Sequence, residues 1–197
     1  MVNIGVLISG GGTNLQAIID GCENKTINGE VKVVISNKTG VYGLKRAKKH
    51  NIKAICEKKE DRIIEVLKEN EVELVILAGY LKIVSPKLVN EYKNKIINIH
   101  PSLIPSFCGT GYYGNKVHQG VIDYGAKISG ATVHFVDEGA DTGPIIMQKT
   151  VEVKENYDAK KLGEKVLEIE HEILTKSVAM FCENKLTVQG RRVYIND

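Results

Sequence analysis

The chain has 197 residues, a length typical of one domain that buries about 70% of its unfolded surface. Hydrophobic residues make up 43%, charged residues 26%, and only 4 residues are proline, which excludes disordered and collagen-like chains. The net charge of +3 is too small to demand a nucleic acid or membrane partner, although it suits an anionic small molecule.

The cysteines are widely separated and form no Cys-x-x-Cys pair of the kind found in zinc sites or redox motifs. They are Cys22, Cys56, Cys108 and Cys182. The first residues lack the basic start of a signal peptide, and no apolar run approaches the roughly 18 residues of a membrane helix. We therefore expect free thiols, no membrane association and a cytoplasmic location.

Short runs rich in valine and isoleucine alternate with stretches of helical composition over the first hundred residues. The predicted strands are 2–8, 31–36, 53–56, 74–78 and 96–99, and the predicted helices are 14–21, 42–50, 60–70 and 85–92. Ser85 and Pro86 are typical of an N-cap and a first helical position. The alternation predicts an α/β fold: a doubly wound, Rossmann-like, mostly parallel sheet with helices on both faces. Ligands bind such sheets beyond the carboxyl ends of the strands.

The second half of the chain has a different pattern. It predicts a short helix over 115–124, two strands over 127–135 and 144–153, and a long C-terminal helix over 158–185. Apolar positions of the long helix repeat with helical spacing, so that it should pack on the sheet. These positions are Leu162, Val166, Ile169, Ile173, Val178 and Phe181. No repeat or linker is visible, which predicts one domain over 1–197, with a phosphate-binding half over about 1–100 and a catalytic half over about 98–197.

A glycine-rich loop follows the first predicted strand and opens the first helix, with the sequence Ser9-Gly10-Gly11-Gly12-Thr13-Asn14-Leu15. Glycines let the backbone approach a ligand, and a helix N-terminus attracts anions. The loop therefore predicts a phosphate site at Gly11, Gly12, Thr13 and Asn14. It is not a Walker A loop, because no Gly-Lys-Ser/Thr follows, and it is a poor dinucleotide fingerprint, because Leu15 stands at the place of the third glycine. A plain strand-to-helix turn is the alternative.

Asn98 and His100 end a predicted strand, and alternation puts both side chains on one side of it. A carboxamide and an imidazole facing one point can polarise a carbonyl and hold the oxyanion that it becomes. A histidine with a purely structural role is the alternative.

The segment from Asp137 to Ile145 contains three acids within five residues, Asp137, Glu138 and Asp141. It lacks the ligand spacing of an EF-hand, and we expect no metal there. One acid oriented toward an imidazole would favour the protonated ring and fix its tautomer, whereas a solvated acidic turn is the alternative.

Glu170 lies among the apolar positions of the long helix, where a carboxylate needs a partner. A structural lysine or arginine and a ligand donor are both open at this point.

Five segments carry a family resemblance. They are Ile8-Ser9-Gly10 through Gln16, Leu77-Ala78-Gly79-Tyr80, Asn98-Ile99-His100-Pro101-Ser102-Leu103-Ile104-Pro105, Val133-His134-Phe135-Val136 and Asp137 to Ile145. Together they resemble the phosphoribosylglycinamide formyltransferases of purine biosynthesis, in the right order and over essentially the whole chain. The resemblance implies transfer of a formyl group from 10-formyltetrahydrofolate to the amine of glycinamide ribonucleotide (GAR), with small molecules as the partners.

By motif match, the resemblance also assigns site residues. It implies catalytic roles for Asn98, His100 and Asp141, phosphate binding by Gly11, Gly12, Thr13 and Asn14, and a position near the ribose for Glu170. The folate pocket would be lined by Leu81, Lys82, Ile83, Val84, Asn98, Val136 and Asp137. The family often carries arginine where Lys82 stands. The resemblance implies no metal and no covalent intermediate.

Three other functions compete with this interpretation. Methionyl-tRNA formyltransferases share the catalytic motifs but carry an additional basic C-terminal domain, and formyltetrahydrofolate deformylases usually begin with a regulatory domain. A non-catalytic nucleotide-binding module would keep the glycine loop but would have no use for the catalytic trio. The sequence does not determine the oligomeric state.

Overall fold

The computed structural model describes residues 1–196, which form a nine-stranded sheet and six helices. The strands are β1 (Val2–Ile8), β2 (Gly29–Ser36), β3 (Lys53–Cys56), β4 (Leu74–Leu77), β5 (Ile96–His100), β6 (Ile128–Phe135), β7 (Ile145–Glu152), β8 (Leu186–Gln189) and β9 (Arg192–Ile195). The helices are α1 (Thr13–Glu23), α2 (Tyr42–Lys49), α3 (Glu60–Glu69), α4 (Pro86–Glu91), α5 (Asn115–Tyr124) and α6 (Ala159–Cys182). The predicted elements are all present, with ends shifted by a few residues.

The strand order is β3-β2-β1-β4-β5-β6-β7-β9-β8. Strands β1 to β5 are mutually parallel, and β6 is antiparallel to both β5 and β7. The chain first builds outward from β1 to β3 and then returns to place β4 on the other side of β1. This reversal creates a crevice at the carboxyl ends of β1 and β4, where such sheets bind ligands. The predicted fold class is confirmed.

Alternation along β1 distributes its side chains between two hydrophobic clusters. Ile4, Val6 and Ile8 pack with residues of α1 and α6, whereas Leu7 packs with residues of α3 and α4. Successive side chains of a strand point to opposite faces, so the two clusters cover the two faces of one sheet. Helices on both faces were predicted and are observed.

Helix α6 packs against the sheet as its pattern predicts. Its N-cap is Asp158, whose carboxylate accepts a 2.7 Å hydrogen bond from the backbone N–H of Lys161. Leu162, Val166 and Ile173 are buried, and the helix contacts α1, α5 and β6. A 24-residue helix held in this way carries its middle turn to the edge of the crevice.

Two local features differ from expectation. Helix α4 begins at Pro86 after Ser85, but the Ser85 hydroxyl bonds to the Glu60 carboxylate and does not cap the helix. The residues after α6, where the sequence analysis predicts no strand, form the hairpin of β8 and β9 around Gly190, whose φ is 61°. Each strand has only four residues, so the alternation of apolar and polar residues is too short to predict a strand from the sequence.

Within residues 1–196, none of the helices combines the length and the apolar character that crossing a membrane requires.

Candidate functional site

A cavity of about 410 Å³ opens at the carboxyl ends of β4 and β5. Its lining includes Asn14, Gly79, Asn98, His100, Asp141 and Glu170. Segments 81–84 and 109–114 form further parts of its wall. Predicted site residues from five separate segments therefore border one space.

The glycine loop enters α1 through Gly12, the N-cap residue, which has a left-handed φ of 72° and no side chain to cap the helix. The N–H groups of the first turn lack intrahelical partners, which leaves them free for an anion. A Cβ on Gly12 would lie 2.8 Å from the Cα of Gly43, so the position requires glycine. Gly11 and Thr13 are exposed and lie outside the cavity lining, next to Asn14, which belongs to it.

Ser9 joins the loops that follow three strands, a role that the sequence did not indicate. Its backbone N–H donates to the Gly79 carbonyl at 3.1 Å, and its hydroxyl donates to Asn37 Oδ1 at 2.7 Å. The same hydroxyl accepts from the N–H of Leu81 at 2.9 Å. A small hydroxyl residue at the end of β1 thereby fixes the loops after β1, β2 and β4 relative to one another.

His100 is buried at the end of β5, and both ring nitrogens have neighbours. Nε2 lies 3.0 Å from the Phe107 carbonyl, which only accepts, so we assign the ring proton to Nε2. Nδ1 lies 3.4 Å from Asp141 Oδ2. Burial lowers the pKa of His100 below its usual 6.5, and Asp141 and the Phe107 carbonyl offset only part of this effect. Asp141 thus favours the protonated imidazole, as expected, but burial has the larger effect and keeps the pKa of His100 below its usual value.

Asp141 adopts a left-handed φ of 58° that aims its carboxylate at two histidines. Oδ2 accepts a 2.9 Å hydrogen bond from the Gly109 N–H, and Oδ1 lies 3.7 Å from His134 Nε2. Burial raises the pKa of Asp141, but the neighbouring imidazoles of His134 and His100 and the hydrogen bond from the Gly109 N–H together lower it below its usual range. Asp141 is ionised beside a neutral His100, so the pair can accept one proton and act as a general base.

Asn98 lies directly across the sheet from His134. Nδ1 of His134 lies 2.8 Å from the Phe135 carbonyl, so it carries the ring proton and leaves Nε2 to accept from Asn98 Nδ2 at 3.1 Å. An amide nitrogen has two hydrogens, so Asn98 keeps a second donor for a ligand. Sequence reasoning did not select His134 as a site residue, because its place depends on the pairing register of β5 and β6.

The segment between His100 and Phe107 is anchored to β6. The Thr132 hydroxyl donates to the Ser102 carbonyl at 2.6 Å and accepts from the N–H of Ile104 at 3.1 Å. Ser102 in turn donates to the Ser106 carbonyl at 2.6 Å. These bonds hold the loop whose backbone contacts both His100 and Asp141.

The wall formed by 81–84 exposes apolar side chains. Leu81 is 51% exposed and Ile83 is 66% exposed, while Val84 is buried. Exposed apolar groups beside a cavity are typical of a ligand-binding surface. Lys82 Nζ donates to the Lys58 carbonyl at 3.2 Å.

The cavity wall also contains Val136 and Asp137. Asp137 Oδ1 accepts from the N–H of Gly139 at 3.1 Å and from the hydroxyl of Thr142 at 2.5 Å. Asp137 thus makes its hydrogen bonds within the acidic loop, whereas Asp141 faces the two histidines.

Glu170 and Asn14 form a buried pair at one end of the cavity. Asn14 Nδ2 donates to Glu170 Oε2 at 2.8 Å, and burial raises the pKa of Glu170 to about 7. The alternative of a structural lysine or arginine beside Glu170 is wrong, because the observed partner is the Asn14 amide. The side chain of Asn14 therefore points to Glu170, and both are available to one ligand.

Among residues 1–196, no group of three or more His, Cys, Asp or Glu side chains is arranged to hold a metal ion. The expectation that no metal is used stays a prediction.

Comparison with known proteins places this geometry in a family. The family model described as formyl transferase matches residues 2–178. The chain belongs to the formyl transferase family. The resemblance inferred from the five sequence segments is thereby confirmed at the family level.

Three relatives illustrate the similarity, at 38–41% sequence identity. A chloroplastic phosphoribosylglycinamide formyltransferase of Vigna unguiculata is 39% identical over 93% of the chain, and one of Haemophilus influenzae is 38% identical over 100%. The chain spans 62% of the length of the first and 94% of the second. A glycinamide ribonucleotide transformylase structure from Symbiobacterium toebii superposes with a TM-score of 0.94, at 41% identity, over 100% of this chain and 95% of that one.

Replacing Glu170 with glutamine should change how stability depends on pH. A pKa raised from 4.5 to about 7 by folding means that the wild type loses stability as pH rises from about 4.5 to 7. Glutamine does not titrate and has no such loss. The free energy of unfolding of Glu170→Gln, relative to that of wild type, should therefore rise by about 3 kcal/mol between pH 4.5 and pH 8. Urea unfolding of both proteins at the two pH values measures the gain. A pH-independent difference would show that Glu170 is ionised at an ordinary pKa.

Proposed function

We propose that the protein transfers a formyl group from 10-formyltetrahydrofolate to the primary amine of GAR and so produces formylglycinamide ribonucleotide. The observation that carries the proposal is the shared cavity: the uncapped N-terminus of α1, a buried carboxylate and the trio Asn98, His100 and Asp141 all border it or adjoin it. A ribonucleotide with a phosphate at one end and an amine at the other can span these three features.

The ribonucleotide binds with its phosphate at the N-terminus of α1. There the free N–H groups and the helix dipole favour the negative charge. Glu170 accepts hydrogen bonds from ribose hydroxyls, next to its bond from Asn14. The folate co-substrate binds between the apolar wall of 81–84 and the segment from Val136 to Asp141.

Formyl transfer begins when the amine nitrogen attacks the formyl carbon. The second N–H of Asn98 and the Nε2–H of His100, once it leaves the Phe107 carbonyl, stabilise the oxyanion that forms. The ionised Asp141 and the neutral His100 accept the proton that the amine loses. As the bond between the formyl carbon and N10 breaks, that proton passes to N10, and tetrahydrofolate leaves.

We also propose that the protein works as one domain on small molecules, without a nucleic acid partner, in the reducing environment of the cytoplasm. The two hydrophobic clusters cover opposite faces of one continuous sheet, which supports a single folding unit. All four cysteines are free, which suits a reducing compartment.

The choice of formyl acceptor tests the proposal. The protein is incubated with 10-formyltetrahydrofolate and GAR, initiator methionyl-tRNA or water alone, and release of tetrahydrofolate is followed. We expect rapid release with GAR only. Rapid release with water would indicate a deformylase, release with tRNA would indicate a tRNA formyltransferase, and no release would indicate a binding module.

A branched side chain at Gly11 should block the phosphate selectively. A Cβ on Gly11 meets no atom within 4 Å, so valine fits the free protein, whereas Gly12 requires glycine for its own conformation. Gly11→Val should raise the KM for GAR at least tenfold, because the phosphate supplies binding energy remote from the reacting amine. The KM for 10-formyltetrahydrofolate and the melting temperature serve as controls. An unchanged KM for GAR, or equal use of glycinamide riboside and GAR by wild type, would contradict the phosphate site.

A further inference from the structure

Helix α2 lies against the glycine loop and binds two of its carbonyl groups in succession. The backbone N–H of Gly43 donates to the Gly10 carbonyl at 3.1 Å, and Nε of Arg46 donates to the Gly11 carbonyl at 2.9 Å. One of these bonds depends on a side chain, and a mutation can remove it.

The direction of these carbonyls determines where the loop can bind an anion. In a trans peptide, the carbonyl and the following N–H point in opposite directions. Holding the Gly10 and Gly11 carbonyls toward α2 therefore turns the N–H groups of Gly11 and Gly12 away from α2. We propose that Arg46 is a positioning residue that presents the loop N–H groups to the phosphate of the ribonucleotide, a role that rests on the proposed function.

Arg46 is itself held in place by two further contacts. Its Nη1 donates to Gln16 Oε1 at 3.2 Å, and its guanidinium lies 4.8 Å from the ring centroid of Tyr42. Gln16 belongs to the first turns of α1, so Arg46 links the loop carbonyl to the helix that follows the loop. The planar guanidinium donates in two directions at once, which the single ammonium of a lysine does not reproduce.

Arg46 also adds positive charge next to the loop. Two substitutions separate the effect of this charge from the effect of the hydrogen-bond geometry. Arg46→Ala removes both charge and geometry, whereas Arg46→Lys keeps the charge and loses the two-directional contact. Lys45→Ala is the matched control, because Lys45 is an exposed residue of the same helix and carries the same charge.

The experiment measures KM and kcat for GAR, KM for 10-formyltetrahydrofolate, and the affinity for ribose 5-phosphate by calorimetric titration. Arg46→Ala should raise the KM for GAR and the Kd for ribose 5-phosphate about tenfold, as expected for loss of a charge-assisted hydrogen bond. Arg46→Lys should raise both at least threefold. We expect kcat, the folate KM and the melting temperature to stay near wild type, and Lys45→Ala to match wild type throughout.

Three results would overturn the proposal. Full rescue by Arg46→Lys would show that charge alone matters, and wild-type values for Arg46→Ala would show that neither contribution matters. A parallel loss of folate binding and melting temperature would indicate a structural role. If wild type does not formylate GAR, the proposed function fails, while the ribose 5-phosphate titration still decides the role of Arg46.

Discussion

Asp141→Asn should lower kcat at least 100-fold and leave the free energy of unfolding within about 1 kcal/mol of wild type. Asparagine tolerates the left-handed φ of 58° at this position, and its carbonyl oxygen can still accept from the Gly109 N–H. What it removes is the negative charge 3.4 Å from His100 Nδ1. The loss should therefore be in proton transfer and not in folding.

The same substitution should move the pKa of His100, which gives a second readout. The charge of Asp141 is one of the influences that raise this pKa, so the asparagine variant should have a still lower value. Nuclear magnetic resonance titration of the imidazole measures the shift, and Asp123→Asn, on the exposed face of α5, is the control. A variant that keeps kcat within threefold of wild type, with an unchanged His100 pKa, would reduce Asp141 to a turn residue.

Asn98→Ala should lower kcat about 100-fold to 1,000-fold, the usual effect of removing one oxyanion donor. The amide donates one hydrogen to His134 Nε2 and keeps the other for the formyl oxygen, while in the unliganded protein the His100 donor is occupied by Phe107. Asn98 is thus the donor already free when the substrate arrives.

Steady-state kinetics with both substrates test this role of Asn98. The KM values should change little, because the interaction strengthens only as the oxyanion forms. Asn90→Ala, at an exposed position of α4, controls for loss of an asparagine elsewhere. A rise in KM without a fall in kcat would mean that Asn98 only binds the substrate.

The sequence predicts the fold well where the signal is local. Alternating apolar runs and helical stretches indicate a parallel sheet, and the general rule for such sheets places ligands at the carboxyl ends of the strands. Asn14, Asn98 and His100 follow from that rule and Asp141 from the acidic loop and the motif match, and the structure brings all four to one cavity. Their catalytic and binding roles stay predictions.

Contacts between distant segments could not be read from the sequence. His134 reaches Asn98 only through the register of β5 and β6, and Asn14 reaches Glu170 across 156 positions of the chain. Asp141 favours a protonated His100, as the sequence suggests, but burial of the imidazole outweighs that effect. Burial and register are properties of the packed sheet, and no single segment contains them.

The most direct test of direct formyl transfer is a single-turnover reaction with an isotopically labelled formyl group on 10-formyltetrahydrofolate and excess enzyme and GAR. Mass spectrometry then follows the label. Recovery of all label on the GAR amine, in equal amount to the tetrahydrofolate released, is the predicted result. Label appearing as free formate or attached to the protein would contradict direct transfer between the two substrates in this cavity.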